Sequence, residues 1–398
     1  MEQYLSHRLQ SLSESATLAM NQKTKDLQAQ GLDIVNLTAG EPDFFTPDHI
    51  KTAAKEAVDK NYSFYTPVDG YMDLRKAIAD KLKRENSLDY KPEQISVANG
   101  AKHSLANAIM SLVDEGDEAI IPAPYWVSYS ELVKLAGGKS VIVKTGIDNG
   151  FKMTAGQLEK AITPKTKMLI LCSPSNPTGS VYNREELKAL ADVIAKYDRI
   201  FVISDEIYEH ISYVGKHESI AQFPNVKDKV VLINGVSKAF AMTGYRIGYL
   251  AAPLWITKAC SKLQGQFTSN PSSIAQRAAI AALAQDNTPT KEMVVAFKRR
   301  RDLVMSWLKQ MPGVRCNTPE GAFYVFPDIS SFFGKSNGIL TIKNDMDMCL
   351  YLLDKALVSG VPGDAFGEPT CIRLSYATSD ANLEKAMRCM KEALVKLR

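Results

Sequence analysis

Lys238 sits in "SKAFAMTGYRIG" (residues 237–248), a lysine among small and apolar residues. Desolvation disfavours an ammonium and lowers a lysine pKa, which turns a primary amine into a nucleophile able to form a Schiff base. Arg246, eight positions on, offers a planar fork of donors suited to a phosphate dianion. Any single lysine is more often a surface cation, so its company decides. Asp205 in "IFVISDEIYEH" ends an apolar run, and a buried carboxylate needs a cationic partner. That partner is either an arginine or a protonated ring nitrogen, with Tyr208 three residues further on. "SPSNPTG" (173–179) holds Asn176 between two prolines, where a stiffened amide can donate to one ligand and accept from another; a plain Pro/Gly turn is the alternative. "NGAKHSLANA" (99–108) opens a helix on Gly100, Ala101 and Lys102. Backbone N–H groups exposed there favour an anion, although a strand-to-helix turn also uses glycine for steric reasons alone.

These residues share one kind of position. "ISVANG", "EAIIPAP", "MLILCSP", "IFVISDE" and "VVLINGVSK" are short apolar runs ending in polar or glycine residues, separated by helical patterns. Strands apolar on both faces and alternating with helices predict a largely parallel sheet covered on both sides. Ligands of such α/β sheets sit beyond the carboxyl ends of the strands, where Gly100, Asn176, Asp205 and Lys238 all fall. "TPDHIKTAAKEAVDK" predicts an amphipathic helix with Thr46 as N-cap, Pro47 at its first position, and Ile50, Ala54, Ala57 and Val58 on one face. "SDANLEKAMRCMKEALVKLR" predicts a closing helix buried along Leu383, Met387, Met390, Leu394 and Leu397. The expected architecture is a large α/β domain over 48–285 and a smaller α/β domain over 286–398, with residues 1–47 packing against the latter.

The 398 residues are 45% hydrophobic and 23% charged, enough to bury a full core, and the net charge of +4 is spread without basic runs. Nucleic acid and anionic membrane are not the expected partners. Six cysteines without a CxxC pair suit reduced thiols, and no apolar run reaches the ~18 residues of a membrane span, so a cytoplasmic protein is expected. The five histidines form no ligand set for a metal, and His210 and His217 read as surface or loop residues.

Taken together, "LTAGEPDF" (37–44), "YTPVDGYMDLR" (65–75), "NGAKHSLANA", "PYWVSY" (124–129), "SPSNPTG", "SDEIYEH", "SKAFAMTGYRIGY" and "IRLSYA" (372–377) resemble fold-type I pyridoxal-phosphate enzymes, specifically class I aminotransferases. With "SATLAMN" near the N-terminus, the resemblance points to the bacterial-type aspartate aminotransferases of subgroup Ib. It implies pyridoxal 5′-phosphate as cofactor, with Lys238 as its covalent anchor and as the group that moves the proton at Cα. It implies Asp205 as partner of the pyridine nitrogen, Tyr208 and Asn176 as donors to the phenolic oxygen, and Trp126 stacked on the ring. Backbone of Gly100, Ala101 and Lys102, with Ser237 and Arg246, would bind the phosphate, and Tyr65 would reach the phosphate of a neighbouring subunit in a homodimer. For substrate it implies Arg373 on the α-carboxylate, helped by Asn176 and Gly40 and with Trp126 alongside, and Lys102 and Thr17 on the side-chain carboxylate.

The implied reaction is transfer of the amino group of L-aspartate to 2-oxoglutarate. Ser175 stands where related enzymes often have a second asparagine, and no second arginine is clearly placed for a distal carboxylate. Aromatic, prephenate or broad-specificity transamination, or β-elimination, therefore stay open, because the cofactor machinery is shared among them. A cofactor-binding regulator would be expected to add a DNA-binding segment, for which there is no room before the helix at residue 46.

Overall fold

Five of the apolar runs become strands of one seven-stranded sheet. In the computed structural model, which describes residues 4–13, 16–284 and 287–398, these are β1 (Ile95–Asn99), β2 (Glu118–Ala123), β4 (Thr166–Cys172), β5 (Phe201–Asp205) and β6 (Val230–Gly235), joined by β3 (Lys139–Lys144) and β7 (Ile247–Ala251). The order is β1-β7-β6-β5-β4-β2-β3, and β7 alone runs against the rest. Alternate residues of the central strands enter two different cores: Leu169, Val202 and Leu232 on one face, Ile170, Ile203 and Val231 on the other. Burial on both faces is why these strands read as continuous apolar runs. β3 is an edge strand with exposed lysines at both ends, so its pattern lacks that signature. One face is covered by helices Ala101–Leu112 and Leu254–Phe267, the other by Asp48–Asp59, Met72–Asn86, Arg184–Ile194 and Ser273–Ala284.

A third core joins helices Thr288–Leu308, Asp345–Lys355 and Asp380–Leu394 to a three-stranded antiparallel sheet, with Ile372–Ser375 between Val361–Pro362 and Tyr324–Val325. The N-terminal segment is tied in by Val35–Asn36, paired in parallel with Val358–Ser359, and by Ser375 N donating to Leu37 O at 2.8 Å. All five residues of the predicted C-terminal stripe are buried, Leu397 lying just past the helix end. The helix expected from Thr46 starts one residue later. Pro47 caps it, because the Thr46 hydroxyl is used on Ala241 O, 2.7 Å away. Its buried face is narrower than expected: Ile50 and Ala57 are buried while Val58 is exposed. Among the described residues no helix is long and apolar enough to cross a membrane. All six cysteines are unpaired.

Candidate active site

A cavity of about 550 Å³ opens at the carboxyl ends of the parallel strands, between the large sheet and the N-terminal and C-terminal segments. β4 ends at Cys172 and leads into Asn176; β5 ends on Asp205; β6 leads into Ser237 and Lys238; all five line the cavity. So do Thr17, Gly40, Ala101, Lys102, Trp126, Tyr208, Arg246 and Arg373. Thus twelve of the fourteen residues singled out in the sequence converge there, brought from positions up to 356 apart in the chain, the separation of Thr17 and Arg373. Gly100 is the turn beside it. Tyr65 does not line its own chain's cavity and is 91% exposed.

Lys238 Nζ donates to Gly40 O at 2.5 Å and lies 5.8 Å from the Tyr208 ring centre. Burial depresses its pKa to about 8; Glu41 opposes the shift, and Arg373 and Arg246 add to it. An amine in this range exchanges its proton near neutral pH. Asp205 is fully enclosed: Tyr129 O–H donates to Oδ2 at 2.7 Å and Ile207 N–H to Oδ1 at 3.2 Å. Burial raises its carboxyl pKa to about 6, against the pull of those two donors and of Lys238. A cationic ligand group facing it would hold it ionised.

Arg373 lies on the middle strand of the small sheet and is 1% exposed. Its Nη1 donates to Asn176 Oδ1 at 3.0 Å and Nη2 to Thr38 O at 2.8 Å, while Nε has no partner. Tyr324 and Phe366 pack on the guanidinium, with ring centres 4.6 and 5.0 Å away. Because Asn176 spends its oxygen on Arg373, its NH2 is free to be presented to a ligand. Thr17 Oγ1 is a second buried polar atom without a partner on the same cavity wall.

Gly100 has φ of 86°, and a Cβ there would lie 2.4 Å from Arg246 Nη2. A Cβ on Gly248 of β7 would lie 2.1 Å from Ala101 N. Only glycine at both positions lets the first turn of helix Ala101–Leu112 and the Arg246 fork lie against each other, leaving backbone N–H groups and a guanidinium at one corner of the cavity. Lys102 Nζ stands 4.9 Å from the Trp126 ring centre, and burial, then Arg246, lowers its pKa. With Lys25, Lys102, Lys238, Arg246 and Arg373 against Asp205 and Glu41, the lining suits a ligand set carrying several negative charges and one buried cationic nitrogen. The orphaned Arg373 Nε and the glycine-lined corner fit a phosphorylated cofactor and a carboxylate substrate.

Several lining residues were not singled out from the sequence, Tyr129, Tyr324 and Glu41 among them. Tyr129 holds Asp205, Tyr324 O–H meets Tyr208 O–H at 2.9 Å, and Glu41 Oε2 accepts from Thr243 Oγ1 at 2.8 Å. Tyr129 follows Trp126 by three residues at a helix start, a spacing that could have suggested a shared face; nothing local marks Tyr324. His217 is buried rather than on the surface, its Nε2 bonded to Glu206 at 2.9 Å. His210 is half-buried and meets Glu85. The carboxylates that recruit them lie far off or on the same turn, and the histidine spacing alone does not reveal them.

The strand-end lysine and enclosed carboxylate of the large sheet, facing the buried arginine of the small sheet, agree with an aminotransferase. The model of the aminotransferase class I and II family matches residues 32–389, and the chain belongs to that family. It is 47% identical, over 99% of its own length and 83% of the relative's, to a bifunctional aspartate aminotransferase and glutamate/aspartate-prephenate aminotransferase of Petunia hybrida. Its fold matches the aspartate aminotransferase of Rhizobium meliloti with a TM-score of 0.96 and 42% identity over 99% of both chains. It matches that of Thermus thermophilus with maleate at a TM-score of 0.92 and 42% identity, over 98% of this chain and 99% of the other.

Proposed function

We propose that the protein is a pyridoxal 5′-phosphate-dependent aspartate aminotransferase that moves the amino group of L-aspartate to 2-oxoglutarate, giving oxaloacetate and L-glutamate in two half-reactions. The observation that carries this reading is the buried Arg373 guanidinium, one N–H unpartnered, in the same cavity as Lys238, Asp205 and Arg246. The cofactor, when bound, supplies the carrier for the amino group and the sink for the electron pair left at the substrate Cα. The chain's own residues do the rest. Lys238 anchors the cofactor and then takes and returns the proton at Cα, a task suited to an amine of pKa about 8. Asp205, held by Tyr129, would face the ring nitrogen as a carboxylate. Tyr208 and Asn176 would donate to the phenolic oxygen, and Trp126 would cover the ring. Ser237, Arg246 and the N–H groups of Ala101 and Lys102 would bind phosphate, with Gly100, whose own N–H donates to Ala98 O at 2.7 Å, shaping the turn.

Arg373 clamps the substrate α-carboxylate through paired N–H groups, beside Asn176 and Gly40. Lys102 and Thr17 take the side-chain carboxylate, a role supported by the unpartnered Thr17 hydroxyl in the cavity wall. Tyr65 serves the phosphate of a second subunit, so the working unit is a homodimer. The division at 47/48 belongs to the same proposal, while that at 285/286 lies outside the described residues; a cytoplasmic setting also belongs to it, which the unpaired cysteines support. Prephenate is a second acceptor to consider, because the Petunia relative's name includes it.

The test is a half-reaction panel on cofactor-loaded protein. L-aspartate should bleach the visible band and oxaloacetate should restore it, with glutamate, phenylalanine and arogenate compared in parallel. A band that persists with aspartate despite normal loading overturns the aspartate assignment and leaves the family membership untouched.

A further inference from the structure

The turn that follows β5 has two faces. Asp205 and Tyr208 line the cavity. Glu206 and Glu209, 2% and 6% exposed, enter a second set of buried polar groups that takes no part in the cavity. Glu206 Oε1 accepts from Ser204 Oγ at 2.8 Å and Ser219 Oγ at 2.5 Å, and Oε2 meets His217 Nε2 at 2.9 Å. Glu209 is paired with Lys81, itself 1% exposed, and accepts from Asn86 Nδ2 at 2.7 Å. Lys81 also donates to Asn86 Oδ1 at 2.9 Å and lies 3.7 Å from Glu85, which His210 bridges back toward Glu209. Glu85, Glu209 and His210, and Glu206, Glu209 and His217, have spacings a metal could use. The Lys81 ammonium already supplies the cation beside Glu209, so the cluster is an ion-pair network.

We propose that Lys81 and His217, acting through Glu209 and Glu206, are positioning residues that clamp the β5 turn from behind and so fix Tyr208 and Asp205 in the cavity wall. The inference rests on the cofactor reading above. Each buried carboxylate is one residue from a cavity group, so rotating the turn to misplace Asp205 or Tyr208 would strand an unpaired charge in the interior. Burial pushes the Glu209 carboxyl up, yet Lys81, His210 and His217 outweigh it and hold it well below the usual carboxylate range. Burial likewise opposes charge on His217, and Glu206 and Glu209 together more than offset it, raising the imidazole pKa. Both shifts favour the ionised, paired form of the clamp.

The experiment compares wild type with His217→Gln and Glu209→Gln, loaded with pyridoxal 5′-phosphate, in the pH midpoint of the visible band and in the cofactor dissociation constant. A loosened turn weakens the Tyr208 donor, so the midpoint should rise by about half a pH unit or more, and affinity should fall about threefold to tenfold. Leu383→Ala, in the C-terminal helix, should lower the melting temperature and leave the midpoint in place, which separates positioning from general destabilisation. If the glutamine variants do not fold, Ser219→Ala removes one neutral donor from Glu206 and should shift the midpoint in the same direction by less. A wild type with a band and folded variants with an unmoved midpoint overturn the clamp alone. A wild type that takes up no cofactor overturns the reading beneath it.

Discussion

Asp205 carries opposite demands, and they set the first prediction. In the cofactor-free protein its carboxyl pKa is raised to about 6 by burial, above the ordinary value of 3.8. A raised folded pKa means that the neutral form is favoured: the stability it contributes is fully present below pH 4 and is lost as pH rises through about 6. Asp205→Asn should therefore raise the melting temperature of the cofactor-free protein at pH 8, with the gain fading toward pH 4. The same change should abolish most turnover, because a neutral amide cannot hold a ring nitrogen protonated. Calorimetry at the two pH values and a transamination assay check both halves. Lys238 behaves as the converse. Its pKa of about 8, depressed chiefly by burial, means that the unfolded chain binds more protons between roughly pH 8 and 10, so stability of the cofactor-free protein should rise across that window. Lys238→Met should flatten that rise and eliminate turnover while leaving noncovalent cofactor binding measurable by equilibrium dialysis. These residues were legible as types because each follows an apolar run. Tyr129 and Tyr324, which orient Asp205 and Tyr208, were not: their partners lie 76 and 116 residues away, and no periodicity records a long-range hydrogen bond.

At the scale of elements, the strands buried on both faces announced themselves, and the ones with mixed environments did not. β3 has exposed or half-buried positions throughout, and β7 lay inside a motif read for its lysine and arginine rather than for its apolar run. That antiparallel strand places Gly248 against the start of helix Ala101–Leu112 and Arg246 against Gly100, so the anion corner is a product of strand packing as much as of a glycine turn. Gly100, at φ 86° and ψ 161°, occupies backbone space nearly closed to other residues. Gly100→Ala should cost about 1–3 kcal/mol of stability. The new Cβ would meet the flexible end of Arg246 rather than backbone, so the chain should still fold with the guanidinium displaced. Titration should then show at least about tenfold weaker binding of pyridoxal 5′-phosphate, with binding of unphosphorylated pyridoxal little changed. Equal losses for both ligands would point to a general collapse of the cavity instead.

The whole molecule presents Tyr65 outward, 91% exposed, next to Phe64 at 82%, although Tyr65 belongs to the set that the family resemblance assigns to the cofactor phosphate. In the proposed homodimer a second copy would cover this exposed aromatic pair. In such a dimer each site combines Lys238 of one chain with Tyr65 of the other, which a mixing experiment can detect. Lys238→Ala chains lack the anchor, and Tyr65→Ala chains lack the contributed hydroxyl, so each parent homodimer should be impaired. Unfolding and refolding an equal mixture should yield about half heterodimers, each with one intact site, and recover about a quarter of wild-type activity if pairing is random. If Tyr65 instead serves its own chain, every site in the heterodimer keeps one lesion and activity should not exceed the average of the two parents. Size-exclusion chromatography of the mixture, run alongside the assay, confirms that the recovered activity travels with a species of twice the chain mass.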